Sequence, residues 1–342
     1  MTNRSLAATR RTLGCLLVIA LAAPPASAQT PATEAGLDRL EAEVTRLAEL
    51  SGGILGLAAV HLETGRAVYH NPDVAFPMAS TFKVPIAVQL LTLVDRGELS
   101  LDSLITIRPE DLHPGSGTLT QLFDDPGVIL SVRNLLELML LISDNSATDI
   151  NLRLAGGASA VNARLAALDV AGVRVDRPTS LMIADLSGAD LPRSGEFTIA
   201  EYRQAVAAAD SLTRAQARAA FLSDERDTAT PAGMADLLEQ IWRGDALSPE
   251  NTALLLDIMQ RSTTGRARIR GMLPPYVDVA HKTGTLRGTT NDVGIIELPD
   301  GAGHVITVVY IKQSDLDGED RERAIAHVAR AVYDYFLFNP ES

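Results

Sequence analysis

Cysteine is almost missing from this chain: the only one, Cys15, lies within the first 28 residues. A chain trimmed after them would hold no disulfide and no thiolate chemistry, and its core must hold it together unaided. Positive charge is short as well. The 30 Lys and Arg stand against 43 Asp and Glu, a formal net charge of −13, which argues against nucleic acid or an anionic membrane surface as partner. The apolar run Leu13–Ala23 is too short to cross a bilayer, so no stable membrane insertion is expected. The histidines His61, His70, His113, His281, His304 and His327 are isolated, without metal-ligand spacing, and each reads as surface or core structure. There is no G-x-S-x-G elbow, no glycine-rich phosphate loop, and no repeat or low-complexity tract after the N-terminus. A metal or cofactor is therefore not expected. What remains is ordinary globular composition, 46% hydrophobic and 21% charged, with apolar residues enough for a sizeable core.

The first 28 residues read as an export signal. Arg4, Arg10 and Arg11 form a basic start, Leu13–Ala23 an apolar centre, and Ala26-Ser27-Ala28 a small-x-small cleavage site before Gln29. Arg10-Arg11 also fits a twin-arginine signal, which leaves the export route open. Cys15 precedes most of the apolar run, so it does not read as a lipidation site. Cleavage near Ala28 would remove three positive charges and deliver an acidic chain to the periplasm or the medium.

Along the mature chain, Leu37, Leu40, Val44 and Leu47 recur at helical spacing through 34–50, and Gly52-Gly53 stops the helix. Residues 54–61 read as a strand, Glu63-Thr64-Gly65 as a turn, and 66–69 as the returning strand. Apolar helices are expected over 84–94, 131–142, 147–154 and 158–168. Residues 108–127 read as a long surface loop, in which His113–Gly117 is turn chemistry or part of a site rim. Between Asp176 and Asp227 the pattern loosens: 184–195 shows no periodicity, and 198–219 reads as one helix. Thr230-Pro231 and Ser248-Pro249 open two further helices. The end is β-rich, with strands over 277–285, 291–297 and 304–311, a turn at Pro299-Asp300-Gly301, and a closing helix over 319–336. Since β structure lies at both ends and helices between, the expected fold is α+β. One antiparallel sheet would be built from both chain ends and flanked by helices, with an all-helical lobe inserted in the middle.

Three short motifs carry chemistry. Ser80-Thr81-Phe82-Lys83 stands at the mouth of the 84–94 helix, with Pro85 tolerated in the first turn. Residues three apart share a helix face, so the Ser80 hydroxyl and the Lys83 ammonium can meet. A serine needs a neighbouring base to become a nucleophile, and a desolvated lysine can be that base. Alone, the pattern is equally an N-cap serine beside a solvated lysine. Ser143-Asp144-Asn145 stands where a buried helix gives way to a polar turn. His281-Lys282-Thr283-Gly284-Thr285 stands inside a predicted strand, an odd place for lysine, threonine and glycine in succession, and glycine there marks a close approach.

S-x-x-K, then S-D-N, then K-T-G, in that order, resembles the signature set of class A serine β-lactamases and penicillin-binding proteins. The likeness covers residues of about 37–338. It implies one β-lactamase/transpeptidase-like catalytic domain over 29–342. The α/β part would lie at about 37–85 and 262–338, the helical lobe at about 86–261, and an enlarged loop at 177–227. It implies that Ser80 is the nucleophile, Lys83 its base or a relay member, and Ser143 the acid for a departing lactam nitrogen. Asn145 would hold the substrate's side-chain amide. Lys282, Thr283 and Thr285 would bind the substrate carboxylate, and the N–H groups of Ser80 and Thr285 would form the oxyanion hole. Arg287 reads as a second carboxylate anchor or as a solvated surface arginine. A small β-lactam or peptidoglycan-like substrate and a monomer are implied.

One departure stands out. The family carries an Arg-x-Glu stretch whose glutamate activates water to remove the acyl group; here Arg177-Pro178-Thr179 puts Thr179 at that position. By resemblance, Arg177 and Asp227 should pair across the neck of the loop. Glu196, Glu201 and Glu225 are the carboxylates that could swing in as the missing base, and no spacing selects among them. A β-lactamase, a D,D-peptidase- or esterase-like hydrolase, and a β-lactam sensor or trap that acylates and stops all remain readings of these residues.

Overall fold

The computed structural model describes residues 31–340 together with Met1 and Thr2; the rest of the predicted export segment lies outside the described residues. Helix α1 (Pro31–Ala48) leads into the hairpin β1 (Ile54–His61) and β2 (Ala67–His70), with Leu57 opposite His70 and Val60 opposite Ala67. A short strand β3 (Phe76–Pro77) and a 3-10 turn, Ala79–Phe82, precede α2 (Lys83–Asp95). Strands β4 (Leu104–Thr106) and β5 (Ile129–Ser131) pair as a ribbon around the one-turn α3 (Leu119–Leu122). The lobe therefore carries a little β structure among its helices. Next come α4 (Val132–Leu141), α5 (Asn145–Leu154) and α6 (Gly157–Ala167). Three helices fill the enlarged loop: α7 (Thr179–Ser187), α8 (Ile199–Ala208) and α9 (Ser211–Leu222). Strand β6 (Thr228–Ala229) pairs with β3, and α10 (Pro231–Arg243) and α11 (Pro249–Gln260) follow. Strands β7 (Val279–Leu286), β8 (Thr289–Leu298) and β9 (Gly303–Lys312) lead to α12 (Gly318–Phe338).

The main sheet is antiparallel throughout, in the order β2-β1-β9-β8-β7, so both chain ends build it and β7 is an edge. Successive strand residues point to opposite faces. Leu57, Ala59, Val309 and Ile311 pack with Val44 of α1 and Phe336 of α12, while Ala58, Val60, Val308 and Tyr310 pack with Phe76 and the helical lobe. Both faces are covered, which is why β1 and β9 read as continuous apolar runs. Helix α2 is buried from Lys83 through Thr92 and forms the centre of the lobe.

Two expectations for the loosened region give way. Residues 198–219 are two helices, not one: Ala209 is extended (φ −68°, ψ 122°), and the Asp210 side chain accepts from Thr213 N to start α9. An aspartate able to cap offers the chain a stop that periodicity does not register. Aperiodic 184–195 begins inside α7, whose buried residues Thr179, Ser180, Leu181, Met182 and Ala184 spread around a short helix instead of forming a stripe. At the neck, Arg177 Nε donates to Asp227 Oδ2 at 2.7 Å, and Asp176 N donates to Asp227 Oδ1 at 2.7 Å. Asp224, at 2.9 Å, and Asp185, at 2.5 Å, pair with Arg177 as well.

Candidate active site

Ser80 is presented by a turn that the sheet holds rigid. Asn291 of β8 donates from Nδ2 to the carbonyls of Pro77 and Met78, at 2.8 and 2.9 Å. Ala79, immediately before Ser80, sits at φ 49°, a conformation that non-glycine residues adopt at an energetic cost and that recurs at functional sites. The edge strand β7 presses against this turn at Gly284, where a Cβ would stand 2.5 Å from Met78 O and 3.1 Å from Ser80 N. Only glycine allows that approach, which accounts for its place in a strand.

Lys83 begins α2 fully buried. Its Nζ donates to Ser143 O at 2.7 Å, Ser143 Oγ at 3.0 Å and Asn145 Oδ1 at 3.1 Å. From the opposite wall Lys282, equally buried on β7, donates to Ser143 Oγ at 3.1 Å and to Thr283 O at 2.9 Å. Two ammonium groups thus converge on one hydroxyl. Burial lowers the Lys83 pKa to about 7 against the opposing pull of Asp144 and Asp149. Burial, together with the positive charges of Lys83 and Arg268, holds Lys282 well below the usual lysine value. Ser80 Oγ makes no hydrogen bond to a described residue. The Lys83 ammonium is engaged with the Ser143-Asp144-Asn145 turn, so the direct Ser80–Lys83 contact expected from spacing is not made in this state.

Asp144 ties that turn down. Oδ1 caps α5 by accepting from Ala147 N at 2.9 Å, and Oδ2 accepts from Thr118 N at 2.6 Å and Leu119 N at 2.9 Å. Gly117 leaves room for this carboxylate, since a Cβ there would lie 2.3 Å from it. Asn145 Nδ2 donates to Pro114 O, and Ser116 Oγ donates to Ser143 O at 2.7 Å. The 113–117 stretch is therefore part of the site rim as well as a turn.

The seven residues singled out from sequence (Ser80, Lys83, Ser143, Asn145, Lys282, Thr283 and Thr285) all meet around one cleft of about 370 Å³. Sequence reasoning missed Arg268. This arginine lines the cleft and donates to Thr285 Oγ1 at 2.6 Å, to Gly284 O at 3.1 Å and to Asn291 O at 2.9 Å. It is the arginine beside Thr283 and Thr285, whereas Arg287 lines a neighbouring cavity. It also missed Asp149, one helical turn beyond Asn145, whose carboxylate accepts from Thr179 N at 2.7 Å and Ser180 N at 2.9 Å and so pins the start of α7. His281 is wholly buried and paired through Nδ1 with Asp292 at 2.8 Å, behind Lys282.

Thr179 lines the cleft, with Oγ1 buried and unpartnered among the described residues. Among the described residues no Asp or Glu lines that cleft. Glu201 caps α8, Glu196 lines another cavity, and Glu225 is exposed, so none of them stands where a base for the acyl group would be needed. Among the described residues no cluster of metal-binding side chains occurs.

A family model described as the β-lactamase enzyme family matches residues 39–336. The chain belongs to the class A serine β-lactamase family. A β-lactamase of Mycobacterium tuberculosis is 30% identical over 318 residues, 91% of this chain and 89% of the relative. Beta-lactamase VEB-1 of Pseudomonas aeruginosa is 27% identical over 313 residues, 89% of this chain and 93% of its own. Among solved structures, an ancestral class A β-lactamase is 33% identical with a TM-score of 0.71, covering 86% of this chain and 99% of its own. A β-lactamase from Chitinophaga pinensis is 31% identical, again with a TM-score of 0.71, over 86% and 98%. The family's fold, one antiparallel sheet from both chain ends with an inserted helical lobe, is the one described above.

Proposed function

We propose that the protein is a serine β-lactamase-like hydrolase that opens a β-lactam ring through a Ser80 acyl-enzyme. The observation that carries this is the convergence of Lys83 and Lys282 on Ser143 Oγ, at 3.0 and 3.1 Å, in the cleft that Ser80 lines. With a pKa of about 7, a large share of Lys83 is neutral at neutral pH and able to take the Ser80 proton as Oγ attacks the carbonyl. The N–H groups of Ser80 and Thr285 would receive the oxyanion. As the ring C–N bond breaks, Ser143 Oγ gives its proton to the nitrogen and is resupplied from the lysines bonded to it. Arg268, Thr283 and Thr285 suit a substrate carboxylate, and Asn145 a side-chain amide. Water then hydrolyses the ester.

A second reading, a D,D-peptidase- or esterase-like hydrolase or a β-lactam trap with slow deacylation, draws support from one feature: Thr179 and no carboxylate on the cleft wall. A chromogenic cephalosporin followed over time, with intact mass, separates these outcomes. Sustained turnover with little adduct marks a β-lactamase. A burst leaving a lasting mass increase on Ser80 marks a trap, and no reaction in either readout removes the β-lactam assignment. Export with cleavage near Ala28, supported by the N-terminal pattern, and a monomeric state belong to the same proposal. Among the described residues no helix is long and apolar enough to cross a membrane.

A further inference from the structure

One buried carboxylate near the cleft takes no part in the proposed reaction. Asp292 of β8 is wholly buried, and so is His281 of β7, whose Nδ1 lies 2.8 and 3.0 Å from the two carboxylate oxygens. The register sets Asp292 opposite Thr283 and Gly294 opposite His281, so both side chains lie on one face of the sheet and Lys282 on the other. Val279 and Ile296 share the face of Asp292 and belong to the apolar cluster that holds Phe336 of α12. An ionised carboxylate in such a place is costly unless nearby charge and hydrogen bonds offset it.

What offsets it is the pair of cations that would receive the substrate carboxylate. Asp292 Oδ2 accepts from Ile269 N at 3.2 Å, and Ile269 directly follows Arg268. His281 directly precedes Lys282. A single carboxylate therefore ties down the chain one residue away from each cation. Arg268 has a carboxylate of its own, Glu322 of α12, at 2.9 Å. The Lys282 ammonium makes no ion pair among the described residues and bonds Ser143 Oγ and Thr283 O. Burial, with the charges of Lys83 and Arg268, favours loss of its proton, and the carboxylate that opposes this loss is Asp292. Arg270, the other cation whose charge Asp292 favours, is turned to the carbonyls of Gln260 and Val279 and does not line the cleft. His281 leaves the negative charge in place. Its Nε2 is buried without a partner among the described residues, so a second proton there would be an unpaired buried donor, and the ring donates from Nδ1 alone.

We infer that Asp292 is a positioning residue for the substrate-carboxylate anchor, fixing Lys282 and Arg268 from the far face of the sheet and supplying the counter-charge to Lys282. The inference rests on the proposed reaction, in which these cations meet the carboxylate of the substrate. Asparagine at 292 keeps the shape and both hydrogen bonds, since the imidazole can change tautomer and accept from the amide, so the charge alone is removed. Lys282 then holds its proton less often, and a substrate anion meets one firm cation instead of two. Preference for a carboxylate-bearing substrate is thus set in part from behind the cleft.

The probes are a cephalosporin with a free ring carboxylate and its methyl ester. Binding of both is measured by calorimetry to Ser80→Ala protein, and to the same protein carrying Asp292→Asn or His281→Gln. With Asp292 present the acid should bind about tenfold or more tighter than the ester. Asp292→Asn should cut that acid-to-ester ratio by about fivefold or more, whereas His281→Gln, whose amide can still donate to the carboxylate, should keep it within about twofold. With Ser80 restored, the acylation burst of the Asp292→Asn protein should need about fivefold more acid to half-saturate, while its limiting rate stays within about threefold. Each ratio is taken within one protein, so a loss of folded material cancels. The inference is overturned by a ratio near one with Asp292 present, by a ratio that Asp292→Asn leaves unchanged, or by an equal drop from His281→Gln. A burst that slows without a change in half-saturation overturns it too. A ratio that falls in Asp292→Asn alone, in a protein whose Ser80 never acylates, leaves Asp292 its role and removes the proposed reaction.

Discussion

On the proposed mechanism, the depressed pKa of Lys83 makes acylation a titration. An ordinary lysine, with its proton held up to about 10.5, would be neutral at pH 7 in only about one molecule in three thousand. Buried behind Ser80, where the cost of burial outweighs the opposing pull of Asp144 and Asp149, Lys83 reaches half-neutral near pH 7. The protonated form cannot accept the Ser80 proton, so acylation is lost as pH falls. Relative to its plateau the rate constant should be about one tenth at pH 6, about half at pH 7 and about nine tenths at pH 8. The assay is a single-turnover burst with a chromogenic cephalosporin, checked by intact mass at each pH from 5 to 9. The same group affects stability with a matching sign. Its burial penalty is complete below pH 7 and is relieved as pH rises towards 10.5, because over that window only the unfolded lysine holds its proton. An acylation rate flat from pH 6 to 9, or still climbing at pH 9 with no sign of saturation, would refute Lys83 as the base.

Thr179→Glu should place a carboxylate on the cleft wall and shorten the acyl-enzyme lifetime at least tenfold, read as decay of the mass adduct after excess substrate is removed. An unchanged lifetime would show that position alone does not supply the base. Asp149→Asn removes the charge that accepts from Thr179 N and Ser180 N, and about 1–3 kcal/mol of stability should go with it in urea unfolding. Because Asp149 also holds the Lys83 pKa up, the acylation midpoint of this variant should move to lower pH. Arg177→Ala removes the direct ion-pair partner of the buried Asp227 carboxylate at the loop neck, and about 3–5 kcal/mol should be lost in the same assay.

What could be read from the sequence was what local chemistry determines. Strands β1 and β9 announced themselves because both faces of the sheet are covered, and α10 and α11 because Thr230-Pro231 and Ser248-Pro249 are caps, whose side chains accept from Gly233 N and Asn251 N. The three motifs were legible because each is a short run with a backbone reason: a turn before a buried helix, a capped helix start, and a glycine where strand meets turn. Arg268 was not, because its partners Thr285, Gly284, Asn291 and Glu322 come from β7, β8 and α12 and nothing in its own neighbourhood marks it. The sequence left 113–117 open between turn chemistry and site rim for the same reason. Its residues suit a turn, and only contact with Ser143 and Asn145 makes that turn a wall of the site. The break at Asp210 was hidden by a capping residue inside a run of helix formers.

The threonine at 179 ties these observations to the rate of the second half-reaction. Asp144 and Asp149 are the carboxylates that oppose the loss of charge on Lys83, and each already accepts backbone N–H groups: Ala147, Thr118 and Leu119 on one, Thr179 and Ser180 on the other. Neither lines the cleft, so neither is placed to deprotonate a water at the acyl ester. On the proposed mechanism, the amine of Lys83, released from Ser80 chemistry once the ester has formed, would then be the base that remains. Acylation and deacylation should therefore share one pH midpoint near 7, with deacylation the slower step at every pH. Measuring both rates across pH 5 to 9 on the same protein decides this. A deacylation midpoint well below that of acylation, in the carboxylate range, would mean that a glutamate from the enlarged loop reaches the ester after all, and that α7 moves once Ser80 is acylated.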